Sequence, residues 1–317
     1  MGMEDTSRFT RQHTLTRSVS CSGIGLHCGE RITMHLHPAA PGSGITFRRL
    51  DLPGTEPVPA LVHHVVDTRL CTVLGRGEVR VATVEHLLAA LAALAIDNVR
   101  VEVDGPEVPI MDGSARPFVD LLLSAGLLLQ RPRRRYLAIT KPLEITEGAK
   151  RAILRPHHGF SLACQIDFGH PLIGSQSFEY VPGRLDFARA IAPARTFGFE
   201  REVEAMIRAG HARGGSLENA VVLSDDGVLN QEGLRFTDEF VRHKLLDAVG
   251  DLSLAGLPIL GRMVLSRSGH QFNAAVVEHL LRRSDAWVVV DALPAHAPVH
   301  GYQPHPAAMV PLPALTA

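Results

Sequence analysis

His243, Asp247 and Asp251 stand four residues apart in the stretch from Asp238 to Asp251. On a helix that spacing stacks them on one face, each a turn above the last. A neutral imidazole and a carboxylate so placed can take two adjacent positions around one metal ion. Phe240, Leu245, Leu246 and Val249 fill the apolar positions of the same stretch, so the polar stripe borders the buried side instead of pointing wholly to water. An isolated His-x-x-x-Asp is more often a surface pair. The metal reading therefore needs a third ligand and a base from elsewhere in the chain. Glu85-His86 sets a carboxylate beside an imidazole, about 100° apart on a helix, so both can approach one ion lying over an N-terminal turn. Taken alone, His86 would be an ordinary core or surface histidine and Glu85 a first-turn charge favoured by the helix dipole. A metal hydrolase needs three protein ligands, an open position for water, a base and an acid, and candidates for all of these are present.

The elements that must carry these residues are legible in outline. Thr83 to Ile96 is rich in strong helix formers, with Thr83 as an N-cap and Leu87, Leu91 and Leu94 as its core face. Before it, Leu15–Cys21 and Arg31–His37 alternate as strands around a glycine-rich turn, Ser22 to Gly29. That turn lacks the spacing and following helix of a dinucleotide fingerprint. Gly42–Leu50, Leu70–Leu74, Asn98–Asp104 and Val108–Met111 read as further strands, and Ser114 caps a helix with Pro117 in its first turn and its end near Gly126. The charged, proline-containing run from Arg131 to Arg135 is a break after which the pattern restarts. Two domains are expected, 1–130 with Glu85 and His86, and 131–293 with His243, Asp247 and His270. In the second, Leu137–Ile145, Ala152–Leu154, Phe160–Phe168, Asn219–Leu223, Met263–Ser266 and Ala286–Val290 read as strands, and Asp186–Ile191 and Phe199–Ala209 as helices. A turn at Ser268-Gly269 is followed by a segment from Gln271 with no element assigned. Residues 294–317, rich in proline and histidine without periodicity, are expected to be a poorly ordered tail. His86-Leu87-Leu88-x-Ala90 and His243-Lys244-Leu245-Leu246-x-Ala248 share a faint pattern, a hint that the two halves are related.

Composition narrows the function classes. The 317 residues are 45% hydrophobic and 21% charged, as in soluble globular proteins. A net charge of −1 lacks the basic excess of a general nucleic-acid binder. The four cysteines, Cys21, Cys28, Cys71 and Cys164, form neither a zinc-ribbon spacing nor a disulfide framework and are expected to be reduced, which implies a cytoplasmic location. No apolar run is long enough to span a bilayer, and the first residues do not form a secretory signal. Seventeen histidines favour metal or proton chemistry.

Several segments, in this order, resemble a known family: Thr83 to Leu91, Ile96 to Asn98, Pro109 to Ala115, Ala194 to Phe199, Phe236 to Asp251 and Ser268 to His270. They are similar to the motifs of the UDP-3-O-acyl-N-acetylglucosamine deacetylases, from about Arg11 to about Val290. The resemblance implies an α+β fold of two related domains, each a mostly antiparallel sheet packed on helices, with the metal site between them. It implies zinc-dependent removal of the N-acetyl group from a UDP-linked 3-O-acylglucosamine, giving free amine and acetate, an early committed step of lipid A biosynthesis in Gram-negative bacteria. By motif, His86, His243 and Asp247 are the implied zinc ligands and Glu85 the base. His270 is implied as the acid, with Asp251 orienting it, and Thr196 and Lys244 as facing the developing oxyanion. Phe197, Gly198 and Phe199 are implied to border the acyl-chain passage. Lys150, Asp167, Phe168 and Arg267 fall where the family contacts uridine diphosphate, and Leu70 and Cys71 join the implied substrate contacts. Gly169, and Gln271-Phe272 after His270, depart from the familiar pattern. A monomer is expected, with a nucleotide-sugar substrate as its partner and no nucleic acid.

Two rival readings remain open at this point. One is a zinc amidase acting on another acylamino sugar nucleotide, since the metal constellation specifies hydrolysis more than substrate. The other is a noncatalytic nucleotide-binding module with structural histidines. The aromatic Phe197 and Phe199 beside Thr196 favour an acyl-chain substrate, because such a chain needs an apolar passage.

Overall fold

The computed structural model describes residues 10–291. The expected tail at 294–317 and the last residues of the second expected domain lie outside the described residues. The chain runs through β1 (Arg11–Leu15), β2 (Val19–Ile24), β3 (Arg31–Pro38), β4 (Ile45–Arg49), β5 (Val58–Pro59), β6 (Val65–Asp67), β7 (Val73–Arg76), β8 (Val79–Val81), α1 (Glu85–Ala93), β9 (Val99–Val103), α2 (Arg116–Ala125) and β10 (Leu127–Arg133). It continues through β11 (Arg135–Ile139), β12 (Leu143–Glu147), β13 (Lys150–Arg155), β14 (Phe160–Asp167), β15 (Ser175–Tyr180), α3 (Phe187–Ala190), β16 (Phe197–Phe199), α4 (Glu200–Arg208), β17 (Val221–Leu223), α5 (Glu239–Ser253), β18 (Ile259–Ser266), α6 (His270–Arg282) and β19 (Trp287–Asp291).

One topology occurs twice. In the first half the sheet order is β2-β3-β9-β4-β5, antiparallel at every pairing except the parallel β4–β9. In the second half β12, β13, β18, β14 and β15 pair in the same succession, again antiparallel except for the parallel β14–β18. In each half the parallel strand is reached after a helix, α1 before β9 and α5 before β18. The fold is therefore α+β with two related units, as expected. β11 and β19 extend the second sheet, and β1 pairs with β10.

The helices lie where the two units meet. α1 packs along α5, α2 lies against α1, and α6 lies against α5. Glu85 to Leu91 of α1 are all buried, which a helix of leucine and alanine tolerates on every side. The closest approach is at Gly250 of α5, where a Cβ would sit 2.1 Å from the Glu85 carbonyl oxygen. No side chain fits there, so the crossing point requires glycine.

Several local expectations are corrected. Thr83 does not cap α1. It has a left-handed backbone with φ 57°, Val84 takes the cap position, and the Thr83 hydroxyl instead donates to the buried carboxylate of Glu107 at 2.7 Å. A buried carboxylate needs its donors, and that need outweighs the local cap. Val108–Met111 form no strand, because Met111 turns the chain at φ 57° and only Glu107 bridges, to Ala82. Leu70 and Cys71 lie in a bend ahead of β7, not in the expected strand. The unassigned segment from Gln271 is helical, and His270 is the first residue of α6. Ser114 likewise does not take the cap of α2, which falls to Ala115, though its hydroxyl oxygen accepts from the Arg116 amide at 3.2 Å; the helix is closed by Gly126 with φ 73°.

Candidate metal centre

Helix α5 carries His243, Asp247 and Asp251 on one face, each no more than 3% exposed. The α1–α5 crossing lays the first turn of α1 over that face, and so brings in Glu85 and His86. His86 Nε2 lies 3.5 Å and His243 Nε2 3.3 Å from the same oxygen, Asp247 Oδ1. One ligand atom from each of the three residues lies within 4.8 Å of the others. Ligands about 2.0–2.2 Å from a tetrahedral ion stand roughly 3.3–3.6 Å apart, so this spacing suits one small cation. Hydrogen bonding agrees. His243 Nδ1 faces the Ala194 carbonyl oxygen at 3.1 Å, and a carbonyl only accepts, so the proton is on Nδ1 and Nε2 presents its lone pair. Asp247 Oδ2 accepts from Lys244 Nζ at 2.8 Å, while Asp247 Oδ1 is buried with no hydrogen-bond partner among the described residues. An orphaned buried acceptor is costly unless something cationic meets it. Two imidazoles and a carboxylate are a donor set suited to a divalent transition metal such as zinc.

The electrostatics favour ligation. Burial pushes the His243 imidazole down to about 4, so it is neutral and able to bind a metal. Burial alone would raise the Asp247 carboxyl, but attraction to the adjoining His243 ring and the Lys244 ammonium holds it well below the usual range. Lys244, whose charge burial disfavours, is held above its ordinary value by attraction and a hydrogen bond to Asp247. Glu85 is raised by burial, against the pull of His270 and His86. His270 would be lowered by burial, yet the Asp251 charge and hydrogen bond, with Glu85 and Asp247 nearby, raise it to about 9.

A second cluster adjoins the first. His270 Nδ1 lies 3.0 Å from Asp251 Oδ2 and must donate, since a carboxylate only accepts. This turns His270 Nε2 toward Asp247, 3.9 Å from Oδ2. Asp251 Oδ2 also accepts from Asn273 Nδ2 at 2.9 Å, and Asp251 Oδ1 from the Thr72 hydroxyl at 2.6 Å. The Thr72 amide donates to Glu85 Oε2 at 3.1 Å. Neither Thr72 nor Asn273 stands out in the sequence. Asn273 follows His270 by three residues and would have been found had the helix there been recognised; Thr72 carries no sequence signal beyond its place after Cys71.

The remaining expected residues fall into three groups. Thr196 lies between the halves, its amide donating to Gly113 O and its carbonyl accepting from the Val221 amide, both at 2.8 Å. Phe197, Gly198 and Phe199 form β16, and the aromatic rings gather. Phe168 lies 5.6 Å from Phe197 and 6.2 Å from Phe199 between ring centroids, and Phe197 lies 6.3 Å from the His243 ring. The residue implied for the nucleotide and those implied for the acyl chain thus share one aromatic wall that reaches the metal cluster. A Cβ at Gly198 would meet nothing within 4 Å. Arg267 pairs with Asp167, and Lys150 with Glu147 at 3.1 Å, at the sheet end just beyond the Arg151–Ser266 pair. Among the described residues no hydrogen bond or ion pair joins Lys150, Asp167 or Arg267 to the metal cluster. Leu70 is 40% exposed, whereas Cys71 is buried beside Thr72.

A buried two-histidine, one-carboxylate cluster between related α+β units, flanked by a second carboxylate and a hydrogen-bonded histidine, has the parts of a metal-assisted hydrolase. Residues 12–282 match the family model described as UDP-3-O-acyl N-acetylglycosamine deacetylase. The chain is 52% identical over 281 residues to the UDP-3-O-acyl-N-acetylglucosamine deacetylase of Myxococcus xanthus, covering 89% of this chain and 90% of that protein. It is 53% identical over 279 residues to the deacetylase of that name from Anaeromyxobacter dehalogenans, covering 88% and 90%. The corresponding protein of Anaeromyxobacter sp. strain Fw109-5 is 51% identical over 296 residues, covering 92% and 97%. The chain belongs to the UDP-3-O-acyl N-acetylglycosamine deacetylase family, and is a deacetylase that hydrolyses an amide.

Proposed function

We propose that this protein removes the N-acetyl group of UDP-3-O-[(3R)-3-hydroxyacyl]-N-acetylglucosamine, releasing acetate and the free amine in lipid A biosynthesis, with zinc held by His86, His243 and Asp247. The observation that carries the metal assignment is the convergence of His86 Nε2 and His243 Nε2 on the unpartnered Asp247 Oδ1. Bound zinc supplies Lewis acidity, lowering the pKa of a water and polarising the acetamide carbonyl. Glu85, at the foot of α1, takes the proton of the attacking water. Lys244 and Thr196 face the oxyanion as it develops, and Lys244 also steadies Asp247. An amine is too basic to leave as an anion, so His270 Nε2 gives it a proton while Asp251 holds the ring. Phe197, Gly198 and Phe199 border the acyl chain, Lys150, Asp167, Phe168 and Arg267 meet the uridine diphosphate, and Leu70 and Cys71 complete the substrate contacts.

The domains are taken as 1–130 and 131–293; the repeated sheet order supports two units, while this boundary falls inside β10, which stays paired with β1 as far as Arg133. No described helix is long and apolar enough to cross a membrane. Four free cysteines support a cytoplasmic location, and the protein is taken as a monomer. The deciding measurement is acetate release from the acylated UDP-sugar, set beside the same nucleotide sugar without its acyl chain, together with the metal content of the purified protein. Release from both at equal kcat/KM would point to another acylamino sugar nucleotide as the substrate.

A further inference from the structure

Among the described residues Thr72 is the one residue of the first unit that hydrogen-bonds to Asp251, and it spends every polar group it has inside the site. Its amide donates to Glu85 Oε2 at 3.1 Å, and its carbonyl accepts from the Val84 amide, just before Glu85, at 3.4 Å. Its hydroxyl donates to Asp251 Oδ1 at 2.6 Å. The same hydroxyl oxygen lies 3.4 Å from His270 Nδ1. A hydroxyl has one hydrogen, and the short contact to Asp251 claims it, so the face turned to His270 is a lone pair. Asp251 Oδ2 and the Thr72 oxygen therefore both hold the ring's Nδ1–H, leaving Nε2 as the nitrogen that gives up its proton. Thr72 is 1% exposed, so no water substitutes for its hydroxyl without a rearrangement.

We propose that Thr72 is a positioning residue for both proton-transfer groups, fixing Glu85 through its amide and His270 through its hydroxyl and Asp251. This rests on the reading of Glu85 as base and His270 as acid. Without the hydroxyl, Asp251 Oδ1 is left buried and unpaired, and the carboxylate is free to rotate away from the plane in which it orients His270. Substrate binding and the metal ligands do not depend on that bond, so the loss falls on the chemical step.

The test uses Thr72→Val, which keeps the branched shape and removes the hydroxyl, and Thr72→Ser, which keeps the hydroxyl. Each is assayed on the acylated UDP-N-acetylglucosamine with bound zinc measured alongside. Thr72→Val is expected to hold full zinc and an unchanged KM while kcat falls on the order of 10–100-fold, the worth of a hydrogen bond to a charged group. Thr72→Ser should recover most of that loss. Combined with Asp251→Asn, Thr72→Val should add little, because the hydroxyl acts through the carboxylate. If the valine variant does not fold, Thr72→Ala takes its place with the same expectations. Wild-type kcat in Thr72→Val, equal losses in the valine and serine variants, or multiplying losses in the double variant would each overturn the assignment. Glu85→Gln and His270→Ala separate the two levels. If both keep wild-type kcat, the reading of the site falls and Thr72 with it; if both collapse while Thr72→Val does not, only the Thr72 inference is lost.

Discussion

Gly250 and Glu85 touch through their backbones: a Cβ on Gly250 would lie 2.1 Å from the Glu85 carbonyl oxygen and 3.1 Å from its Cα. This contact sets the distance between the helix that carries Glu85 and His86 and the helix that carries His243 and Asp247. In an exposed helix, Gly→Ala adds roughly 1 kcal/mol of stability. Here the sign reverses, because backbone cannot yield as a side chain does. Gly250→Ala is expected to destabilise the fold by about 1–3 kcal/mol and to weaken metal binding by spreading the ligands. Chemical denaturation and metal content check it, and an alanine variant as stable as the parent would show that the crossing is not tight.

On the proposed assignment, His86→Ala, His243→Ala and Asp247→Ala should each lose tightly bound metal together with activity, since each removes one of three proposed ligands. Glu85→Gln should keep its zinc and lose on the order of 10²–10⁴-fold in kcat. Metal analysis after dialysis separates the two behaviours. Full zinc in any of the three alanine variants would exclude that residue as a ligand.

On the proposed roles of Glu85 as base and His270 as acid, the pH dependence of kcat/KM should be bell-shaped, with Glu85 needed ionised and His270 needed protonated. Burial works against the His270 charge, but the Asp251 carboxylate and its hydrogen bond prevail and lift it to about 9. His270 therefore keeps its proton at neutral pH, and the alkaline limb appears as that proton is lost. Removing the negative charge with Asp251→Asn lowers the His270 pKa, so the alkaline limb should move to lower pH. His270→Ala should retain zinc and flatten that limb. A profile with both limbs in place in His270→Ala would take the acid role from His270, and Lys244 would be the next candidate.

Phe199 is partly buried, against Phe168, His170 and the Arg201 guanidinium. Phe199→Asp should weaken a long-chain substrate more than a truncated one, by at most about 1.5–3 kcal/mol, the value for a fully buried aromatic. Parallel kcat/KM measurements on the two substrates decide the matter. Equal losses would mean that Phe199 supports the aromatic cluster and does not line the acyl passage.

Arg195 is 1% exposed, with Nε 2.9 Å from Glu239 Oε1 and Nη1 2.6 Å from Glu232 Oε1. The pair ties the segment carrying Thr196 to the first turn of α5. Arg195→Met leaves the fully buried Glu239 carboxylate with only the backbone amides of residues 195 and 235 and no counter-charge, and should cost about 3–5 kcal/mol of stability, read by urea denaturation. A loss under about 1 kcal/mol, as for an exposed pair, would show that water reaches Glu239.

What the sequence by itself determined is what local periodicity governs. A period of 3.6 residues decides which side chains share a face, so His243, Asp247 and Asp251 on one buried stripe of α5 are legible in the sequence alone. The ordered motifs likewise carried the α+β class and the family. The tertiary structure alone decided how those faces meet. Nothing in the spacing of Glu85-His86 says that it will lie over His243 and Asp247; that follows from two helices pressed together at a glycine whose role shows only once its neighbour is in place. Thr72 was silent for the same reason, since one hydroxyl bonded across 179 positions leaves no pattern along the chain. The helix from His270 was missed because Ser268-Gly269 reads as a turn, while its stability comes from burying Phe272, Val276, Val277 and Leu280 against the rest of the fold. Thr83 went the other way: a good cap by type was drawn off by the buried Glu107, because a buried charge demands donors from whatever lies near it in space, not in sequence.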